Sequence, residues 1–432
     1  MYKRLELIER RDAEINAFIE IFSDEALKAA KEVDKKIEEG KAGPLAGLII
    51  GIKNNIAIKG KLLTCGSDIL KTHHATYDAT VVSRLKNADA IIIGSLNMDE
   101  FACGPDGTFG KIKITRNPLD LERVPGGSSS GSGAAVAAGF CDAALGSDTG
   151  GSVRCPAAWC NAYGFKPTYG AVSRYGLADM AMSLDQIGVI SKDKGVLKAV
   201  FNVIRGKDEK DQTTQLAGDI ELKKEEVKVI GVPNEFFESI DPRIERAVKS
   251  KIKQLEKNFE IHEVSIPTLR YTVPIYQLVM AAELSSALQR YDGLRYGLAA
   301  DRNEELYSSF AKVRENFGPE IKRRLIIGTY ITMKEFRDAW YTKALKAREK
   351  MKQEFSTVLK SVDLIVGPAM PMPPWKFGEV SDPLQLYAAD TLTIAANLTG
   401  LPALVEPLSD SIFDGAIQYH ARHFEDNILL NL

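Results

Sequence analysis

The sequence predicts an α/β layered fold for its 432 residues. Short aliphatic runs, typical of strands that are buried on both faces of a sheet, alternate with segments of helical periodicity. A second observation is the stretch over residues 124–167, where two turns rich in Gly and Ser are joined by a run of small residues. Because glycine allows the backbone to approach another group closely, we expect these turns to form a functional site.

The first half of the chain supplies the alternation of helices and strands. Helical periodicity ended by Gly40 predicts the first helix, and continuous aliphatic runs predict the buried strands. The predicted elements are, in order, a helix over residues 23–39, a strand within 44–56, a helix over 81–87, a strand over 90–94, a helix over 130–139 and a strand over 142–145. The first of these strands contains a single lysine, Lys53.

Beyond about residue 195 the composition shifts towards Lys and Glu, and longer helices are predicted. The elements expected there are a strand over 227–232, a helix that starts at Asp241 and Pro242, helices over 275–296, 303–315 and 333–358, a strand over 362–368 and a Pro-rich loop over 370–383. We therefore divide the chain into a core over 48–190, a helix-rich lobe over about 195–360 and a return to the sheet over about 361–432.

Composition and charge exclude several classes of protein. Hydrophobic residues make up 45% and charged residues 26% of the chain, which is ordinary for a globular protein. The formal net charge of −2 argues against a protein that binds nucleic acid through its phosphates without a partner. No apolar run reaches the ~18 residues that a membrane span needs. The N-terminus is charged and lacks the apolar region of a signal peptide, so we expect a cytoplasmic protein.

The five cysteines are scattered, which is typical of reduced thiols. Cys155 and Cys160 lie close together, but no second Cys or His pair of matching spacing follows them. A zinc site needs such a pair, so we expect no metal site in this chain.

A serine at the end of a glycine-rich turn suits acyl transfer, because its hydroxyl is exposed and backbone N–H groups surround it. The pattern G-S-S-S-G over residues 127–131 matches a nucleophile elbow with Ser129 as the nucleophile. That pattern requires a strand directly before the turn, and the preceding segment is typical of a loop. None of the five histidines lies near the turns in sequence, although a Ser-His-Asp triad can still assemble in space.

A serine can also be activated by a neutral lysine, and Lys53 is the candidate for that role. Its aliphatic neighbours would remove water from the ammonium, which lowers the pKa of a lysine and makes it a usable base. The alternative, which the pattern alone favours, is a lysine at a strand end whose side chain reaches solvent.

The two turns resemble the amidase signature. They read V-P-G-G-S-S-S-G-S from residue 124 and L-G-S-D-T-G-G-S-V-R from residue 145. Within that family, five further segments are similar to the glutamine-hydrolysing A subunits of tRNA-dependent amidotransferases: residues 97–104, 116–124, 166–170, 173–177 and 183–188. The resemblance covers nearly the whole chain. It implies a single domain over residues 1–432 with a large mixed, mostly parallel, twisted β-sheet covered by helices on both faces.

The resemblance also implies a Ser–cis-Ser–Lys triad. By motif, the nucleophile falls on Ser152, the relay serine on Ser128, whose preceding peptide bond would be cis, and the base on Lys53. The backbone N–H groups expected to form the oxyanion hole are those of Thr149, Gly150, Gly151 and Ser152.

A glutamine site is implied as well. The residues that would bind the α-groups of the amino acid are Tyr276, Arg324 and Asp390. An arginine and an aspartate match the carboxylate and the ammonium of a zwitterion. Arg323 is the alternative to Arg324, and the sequence leaves the choice between them open.

The implied activity is the hydrolysis of glutamine to glutamate and ammonia. A B-type partner would use the ammonia, with ATP and Mg²⁺, to amidate misacylated tRNA, and a C-type partner would complete a heterotrimeric ligase of protein biosynthesis. We expect no cofactor in this chain, and tRNA mainly on the B-type partner. The sequence leaves open whether Glu-tRNA(Gln), Asp-tRNA(Asn) or both are amidated, and it does not define the ammonia path.

Two alternatives remain: a stand-alone amidase that acts on a small amide, and a non-catalytic scaffold protein of the complex. The subgroup segments count against the first, and the intact triad counts against the second. Ser130 and Gly133 depart from the family's pattern without removing a triad residue. The C-terminal segment from Asp414 is a weak version of the family's ending, so we expect a short or missing last helix and altered contacts with partners there.

Overall fold

The computed structural model describes residues 1–214, 227–301, 303 and 305–432. Within them, eleven strands form one mixed sheet. The strands are β1 (Phe18–Ile21), β2 (Ile49–Lys53), β3 (Ile91–Leu96), β4 (Ala143–Asp148), β5 (Tyr163–Lys166), β6 (Gln186–Ser191), β7 (Val229–Pro233), β8 (Glu260–Val264), β9 (Leu364–Pro368), β10 (Ala403–Pro407) and β11 (Ala416–His420). Their order across the sheet is β1-β3-β2-β4-β6-β5-β10-β11-β9-β7-β8.

Fourteen α-helices lie in the remaining described chain. They are α1 (Tyr2–Ile15), α2 (Ser23–Glu38), α3 (Thr80–Asn87), α4 (Ser130–Ala137), α5 (Arg154–Trp159), α6 (Lys194–Ile204), α7 (Pro242–Leu255), α8 (Thr272–Ala287), α9 (Leu306–Arg314), α10 (Pro319–Thr332), α11 (Tyr341–Val358), α12 (Pro383–Ala388), α13 (Ile394–Thr399) and α14 (Asp426–Asn431). No helix in this part of the chain has both the length and the apolar character that crossing a membrane requires.

Alternate residues of the central strands face two different cores. Ile50 and Ile52 of β2 belong to one hydrophobic cluster with residues of helices α3, α6, α7 and α14. Ile49, on the opposite face of the same strand, packs with α1 and α4. Since successive side chains of a strand point to opposite faces of the sheet, helices cover both faces, as the sequence predicts. Further along the sheet, Ile365 of β9 packs against α8, α11 and α13.

The large mixed sheet is confirmed, but the expectation that it is mostly parallel is wrong. The parallel pairs are β2–β3, β2–β4, β7–β8 and β7–β9. The six other neighbouring pairs are antiparallel. Short connections account for part of this, since a loop of only a few residues, such as that over 408–415 between β10 and β11, can only join antiparallel strands.

The helix-rich lobe differs most from the prediction. The helix expected over 275–296 ends at Ala287, and that expected over 333–358 begins at Tyr341. Helix α10 was not predicted, although a proline at the first helical position, here Pro319, is a helix-start signal. Residue 304 of the helix predicted over 303–315, and residues 215–226 of the lobe, lie outside the described residues. The predicted single domain stays a prediction, although strands from residue 18 to residue 420 share the sheet.

The candidate site lies at one edge of the parallel part of the sheet. Strand β2 lies between β3 and β4 and runs parallel to both, with Ile52 opposite Leu145. The carboxyl ends of the three strands therefore meet at the same edge, where crevices in α/β sheets bind ligands. Lys53 ends β2, and the second glycine-rich turn follows Asp148 at the end of β4.

Candidate active site

Lys53 is fully buried at the end of β2. Its Nζ donates hydrogen bonds of 2.8 Å to Ser128 Oγ and 2.8 Å to Ser147 Oγ. Burial lowers the pKa of Lys53 to about 7, against the opposing charges of Asp99, Asp148 and Asp185. A substantial fraction of the amine is therefore neutral near pH 7. The alternative of a lysine that reaches solvent is wrong.

Ser128 lies in the first turn, directly before α4. The Gly127–Ser128 peptide bond is cis, as the resemblance implies. The side chain of Ser128 is fully buried, and its hydroxyl contacts the amine of Lys53 although 75 residues separate the two in sequence. The structure thus brings together two of the three predicted triad residues in a direct hydrogen bond.

The elbow interpretation with Ser129 as the nucleophile is wrong. No strand precedes this turn, and Ser129 is fully buried. Its hydroxyl donates to the Ser147 carbonyl (3.2 Å), and its N–H donates to the Ser152 carbonyl (3.3 Å). Ser129 therefore joins the first turn to the second and is not available for chemistry.

Ser152 lies in the second turn, between β4 and α5. It is partly exposed, in contrast to Lys53 and Ser128. Its hydroxyl has no hydrogen-bond partner among the described residues, so it is free to meet a substrate. Acyl transfer requires an accessible nucleophile, and Ser152 is more accessible than the serines of the first turn. The proton path from Ser152 to Ser128 stays a prediction.

The backbone over residues 149–152 offers a row of donors. No N–H group from Thr149 to Ser152 donates a hydrogen bond to another described residue. Gly151 has a φ of +144°, and a side chain there would overlap Thr393 Oγ1 at 2.2 Å. The hydroxyl of Thr393 donates to the Gly150 carbonyl (2.7 Å), which helps to fix the orientation of that peptide group. Free N–H groups beside a serine can stabilise an oxyanion.

A buried ion pair at the two ends of the turn holds it in place. Arg154 donates to both carboxylate oxygens of Asp148, at 3.0 and 2.9 Å, and Asn397 donates to the same carboxylate at 3.0 Å. Although burial raises the pKa of Asp148, the Arg154 guanidinium dominates and holds it at about 2. This ion pair was not predicted from the sequence, although two opposite charges flank one glycine-rich turn.

Arg154→Met is expected to destabilise the protein by about 3–5 kcal/mol at pH 7, because it leaves the Asp148 carboxylate buried without its ion-pair partner. The carboxylate's pKa is depressed in the folded protein, so its contribution is complete above an unfolded pKa of about 3.9 and is lost as the pH falls towards 2. Urea unfolding at pH 7 and at pH 2 measures both effects. Arg243→Met, at the exposed pair with Asp241, is the control and should change little.

The three predicted glutamine-binding residues gather beside the second turn. The ring of Tyr276 lies against Gly150, where an added Cβ would be only 2.8 Å from the Tyr276 Cζ. Asp390 Oδ1 lies 3.4 Å from the position of a Cβ on Gly151. Burial raises the pKa of Asp390 well above its ordinary range, and the positive charge of Arg324 opposes that rise. Tyr276 and Asp390 thus lie against the turn, and the positive charge of Arg324 counters the effect of burial on the pKa of both.

The structure favours Arg324 over Arg323. The side chain of Arg324 is 5% exposed and that of Arg323 is 42% exposed. Arg324 donates through Nε to Glu320 Oε1 (2.6 Å), while Arg323 contacts the other oxygen of Glu320. Tyr387 also donates to Glu320 (2.7 Å). Glu320 was missed from sequence, although an acidic residue four positions before an arginine on one helix face is a recognisable pairing signal.

Arg324→Gln is expected to raise the KM for glutamine by about 100-fold, because a charge-assisted contact with the substrate carboxylate is lost. The intrinsic reactivity of Ser152 should stay unchanged, since no contact joins the two side chains. Arg323→Gln removes an equal charge from the same helix and should leave KM within a few-fold. Equal increases in KM for both variants would contradict the assignment of Arg324.

Two further polar residues support the site and were not predicted. Ser147 Oγ accepts from Lys53 and also from Asn55 Nδ2 (3.0 Å). Asp185 accepts from the Thr149 hydroxyl at 2.6 Å. The described residues hold no group of three or more His, Cys, Asp or Glu side chains that could bind a metal ion. The groups that the site offers for chemistry are the hydroxyls, the amine and the backbone N–H groups.

Comparisons with known proteins identify the family of this chain. The Amidase family model matches residues 3–430. The glutamyl-tRNA(Gln) amidotransferase A chain of Carboxydothermus hydrogenoformans is 44% identical over 100% of this chain and 90% of the relative, and that of Fusobacterium nucleatum is 44% identical with the same coverage. The crystal structure of the corresponding chain from Thermotoga maritima is 37% identical, with a TM-score of 0.81 over 100% of this chain and 89% of its own. The chain belongs to the amidase family.

Proposed function

We propose that this chain is the glutamine-hydrolysing component of a tRNA-dependent amidotransferase. The observation that carries the proposal is the hydrogen bond from buried Lys53 to Ser128 beside the turn of Ser152. Arg324 and the carboxyl group of Asp390 would bind the α-carboxylate and the α-ammonium of the amino acid. The names of the relatives point to the same activity.

The chemistry follows from the positions of these groups. Ser152 Oγ attacks the carboxamide carbon of glutamine, and its proton passes through Ser128 to the neutral amine of Lys53. The N–H groups of residues 149–152 stabilise the oxyanion that forms on the carboxamide oxygen. Lys53 then returns the proton to the departing ammonia, and a γ-glutamyl ester remains on Ser152. Water attacks this ester, so that glutamate leaves and the serine is restored.

The remaining steps would belong to partner proteins. A B-type partner would bind ATP, Mg²⁺ and misacylated tRNA and would consume the ammonia, with a C-type partner completing the heterotrimer. The net charge of −2 on this chain fits tRNA binding on a partner. We place the complex in the cytoplasm, where aminoacyl-tRNA is used.

The test is to co-express the chain with its B- and C-type partners and to measure ammonia release from glutamine, asparagine and small aliphatic and aryl amides. We expect slow hydrolysis of glutamine by the isolated chain and faster hydrolysis by the complex with ATP and misacylated tRNA. Rapid turnover of varied amides with no preference for glutamine would identify a stand-alone amidase. A complex that amidates tRNA from ammonium but never hydrolyses glutamine would identify a scaffold.

A further inference from the structure

Asp99 is a buried carboxylate next to the candidate triad that the mechanism above does not use. It follows β3, the strand that pairs with β2, and it is fully buried. Its backbone N–H donates to the Ser128 carbonyl at 3.1 Å. One hydrogen bond therefore separates Asp99 from the relay serine.

The carboxylate of Asp99 also ties two loops together. Its Oδ1 accepts from the Phe109 N–H (2.8 Å), and its Oδ2 accepts from the Gly107 N–H (3.1 Å). Gly127, which precedes the cis bond, packs directly on it, since an added Cβ would lie 2.2 Å from Oδ2. The position of the turn that carries Ser128 therefore depends on this side chain.

Three other titratable groups act on the pKa of Lys53: Asp148, Asp185 and the thiol of Cys65. Asp148 is neutralised by Arg154, and burial raises the pKa of Cys65 to about 12, so that this thiol is uncharged. Asp185 accepts hydrogen bonds from the Thr149 hydroxyl and from the N–H groups of residues 180 and 181.

Asp99 itself is held by neutral N–H groups, and its negative charge opposes the lowering of the Lys53 pKa by burial. The charged group that faces Asp99 from the other side is Asp106, which accepts from Thr108 and from Trp375 Nε1 (3.2 Å). Burial and the charge of Asp106 raise the pKa of Asp99 to about 7.

We propose that Asp99 is a positioning residue of the serine–serine–lysine site: its carboxylate holds the turn of Ser128, and its negative charge stabilises the protonated form of Lys53. The proposal rests on the triad of the proposed function and adds a residue that sets its working pH. A negative charge beside an amine raises the pH at which that amine becomes neutral. Removing the charge should therefore extend the activity of the site to lower pH.

The test uses Asp99→Asn, which keeps the shape of the side chain and removes its charge. Phenylmethanesulfonyl fluoride reports the reactivity of Ser152 without glutamine: an S–O bond to Oγ forms, the S–F bond breaks, fluoride leaves and the serine proton passes to Lys53. The rate of labelling is followed by intact mass from pH 4.5 to 9. The labelling rate should rise with pH as Lys53 loses its proton, and this rise is the acid limb of the profile. We expect the midpoint of the acid limb to fall by about one pH unit relative to the wild type.

Asp12→Asn is the matched control, since Asp12 is also a buried carboxylate that accepts from a backbone N–H, that of Ala17 (2.7 Å), but lies in α1. Its midpoint should equal that of the wild type. An unchanged or higher midpoint for Asp99→Asn would overturn the role of Asp99 alone. A wild-type protein that is never labelled at Ser152 would overturn the triad, and this proposal with it.

If Asp99→Asn does not fold, Asp106→Asn provides a second test of the role of Asp99. This variant keeps Asp99 and removes the repulsion that favours its protonated form, so Asp99 stays charged at lower pH. The midpoint of the acid limb should then rise, opposite in sign to the first variant. A lower or unchanged midpoint for a folded Asp106→Asn protein would overturn the proposal. If these carboxylates had a purely structural role, the two substitutions would change the labelling rate at every pH but would not shift the midpoint of the acid limb.

Discussion

Ser152→Ala is expected to lower glutamine-dependent amidation of tRNA by at least about 10⁴-fold, while amidation from free ammonium persists. The variant removes the only atom that can form the γ-glutamyl ester, but it leaves the pocket, the N–H groups and the surface for partners unchanged. The measurement compares product formation by the assembled complex with glutamine and with ammonium chloride as the nitrogen source.

Ser129→Ala is the matched control for this variant, because it removes a hydroxyl from the neighbouring turn that donates only to the Ser147 carbonyl. It should keep glutamine-dependent activity within about tenfold of the wild type. If Ser152→Ala retained glutamine-dependent activity and Ser129→Ala lost it, the nucleophile would be Ser129 and the site would need to be assigned again.

Lys53→Met is expected to lower kcat for glutamine hydrolysis by about 10³-fold, since general base catalysis contributes 10²–10⁴-fold. The neutral amine is the active form, and its pKa is lowered to about 7. In the wild type, kcat/KM should therefore rise through pH 7 and level off above pH 8, whereas an unperturbed lysine would place that rise near pH 10.4. Initial rates from pH 5 to pH 9 measure this rise in kcat/KM, the acid limb of the profile, directly.

Lys166→Met is the matched control, since Lys166 is a second fully buried lysine whose pKa burial lowers to about 7. Its Nζ donates to the Pro167 carbonyl at 2.9 Å and to neither serine of the triad. The folded variant should keep the midpoint of the acid limb. A limb that persisted in the residual activity of Lys53→Met would show that another group is the base.

The resemblance to the amidase signature identified most of the candidate site residues from the sequence. The motif placed Lys53 and Ser128 together, and the structure joins them by a hydrogen bond. The roles of these residues, and those of Tyr276 and Asp390, stay predictions until the variants are measured. The roles of Ser147 and Asp185 were missed although both lie in the quoted segments, because each acts through a contact with a residue distant in sequence.

The helix-rich lobe was predicted less well because α10 carries apolar residues on exposed positions. Ile326 and Ile327 are 70% and 40% exposed, which obscures the apolar stripe that predicts a helix. Once the helix is placed, its geometry separates two adjacent arginines. Arg324 is buried and Arg323 is exposed, since neighbouring residues on a helix point about 100° apart.

The amino-acid sequence by itself determined the α/β alternation and the two glycine-rich turns, because these depend on residue types over short stretches of chain. It also determined which residues carry the motif. The tertiary structure decided that Lys53 is buried and not solvated, since burial depends on β3 and β4 on either side of its strand and on the turns that cover the strand end. It likewise decided the mixed direction of the sheet, the burial of Arg324 and the place of Asp99, because each arises from contacts between residues far apart in sequence.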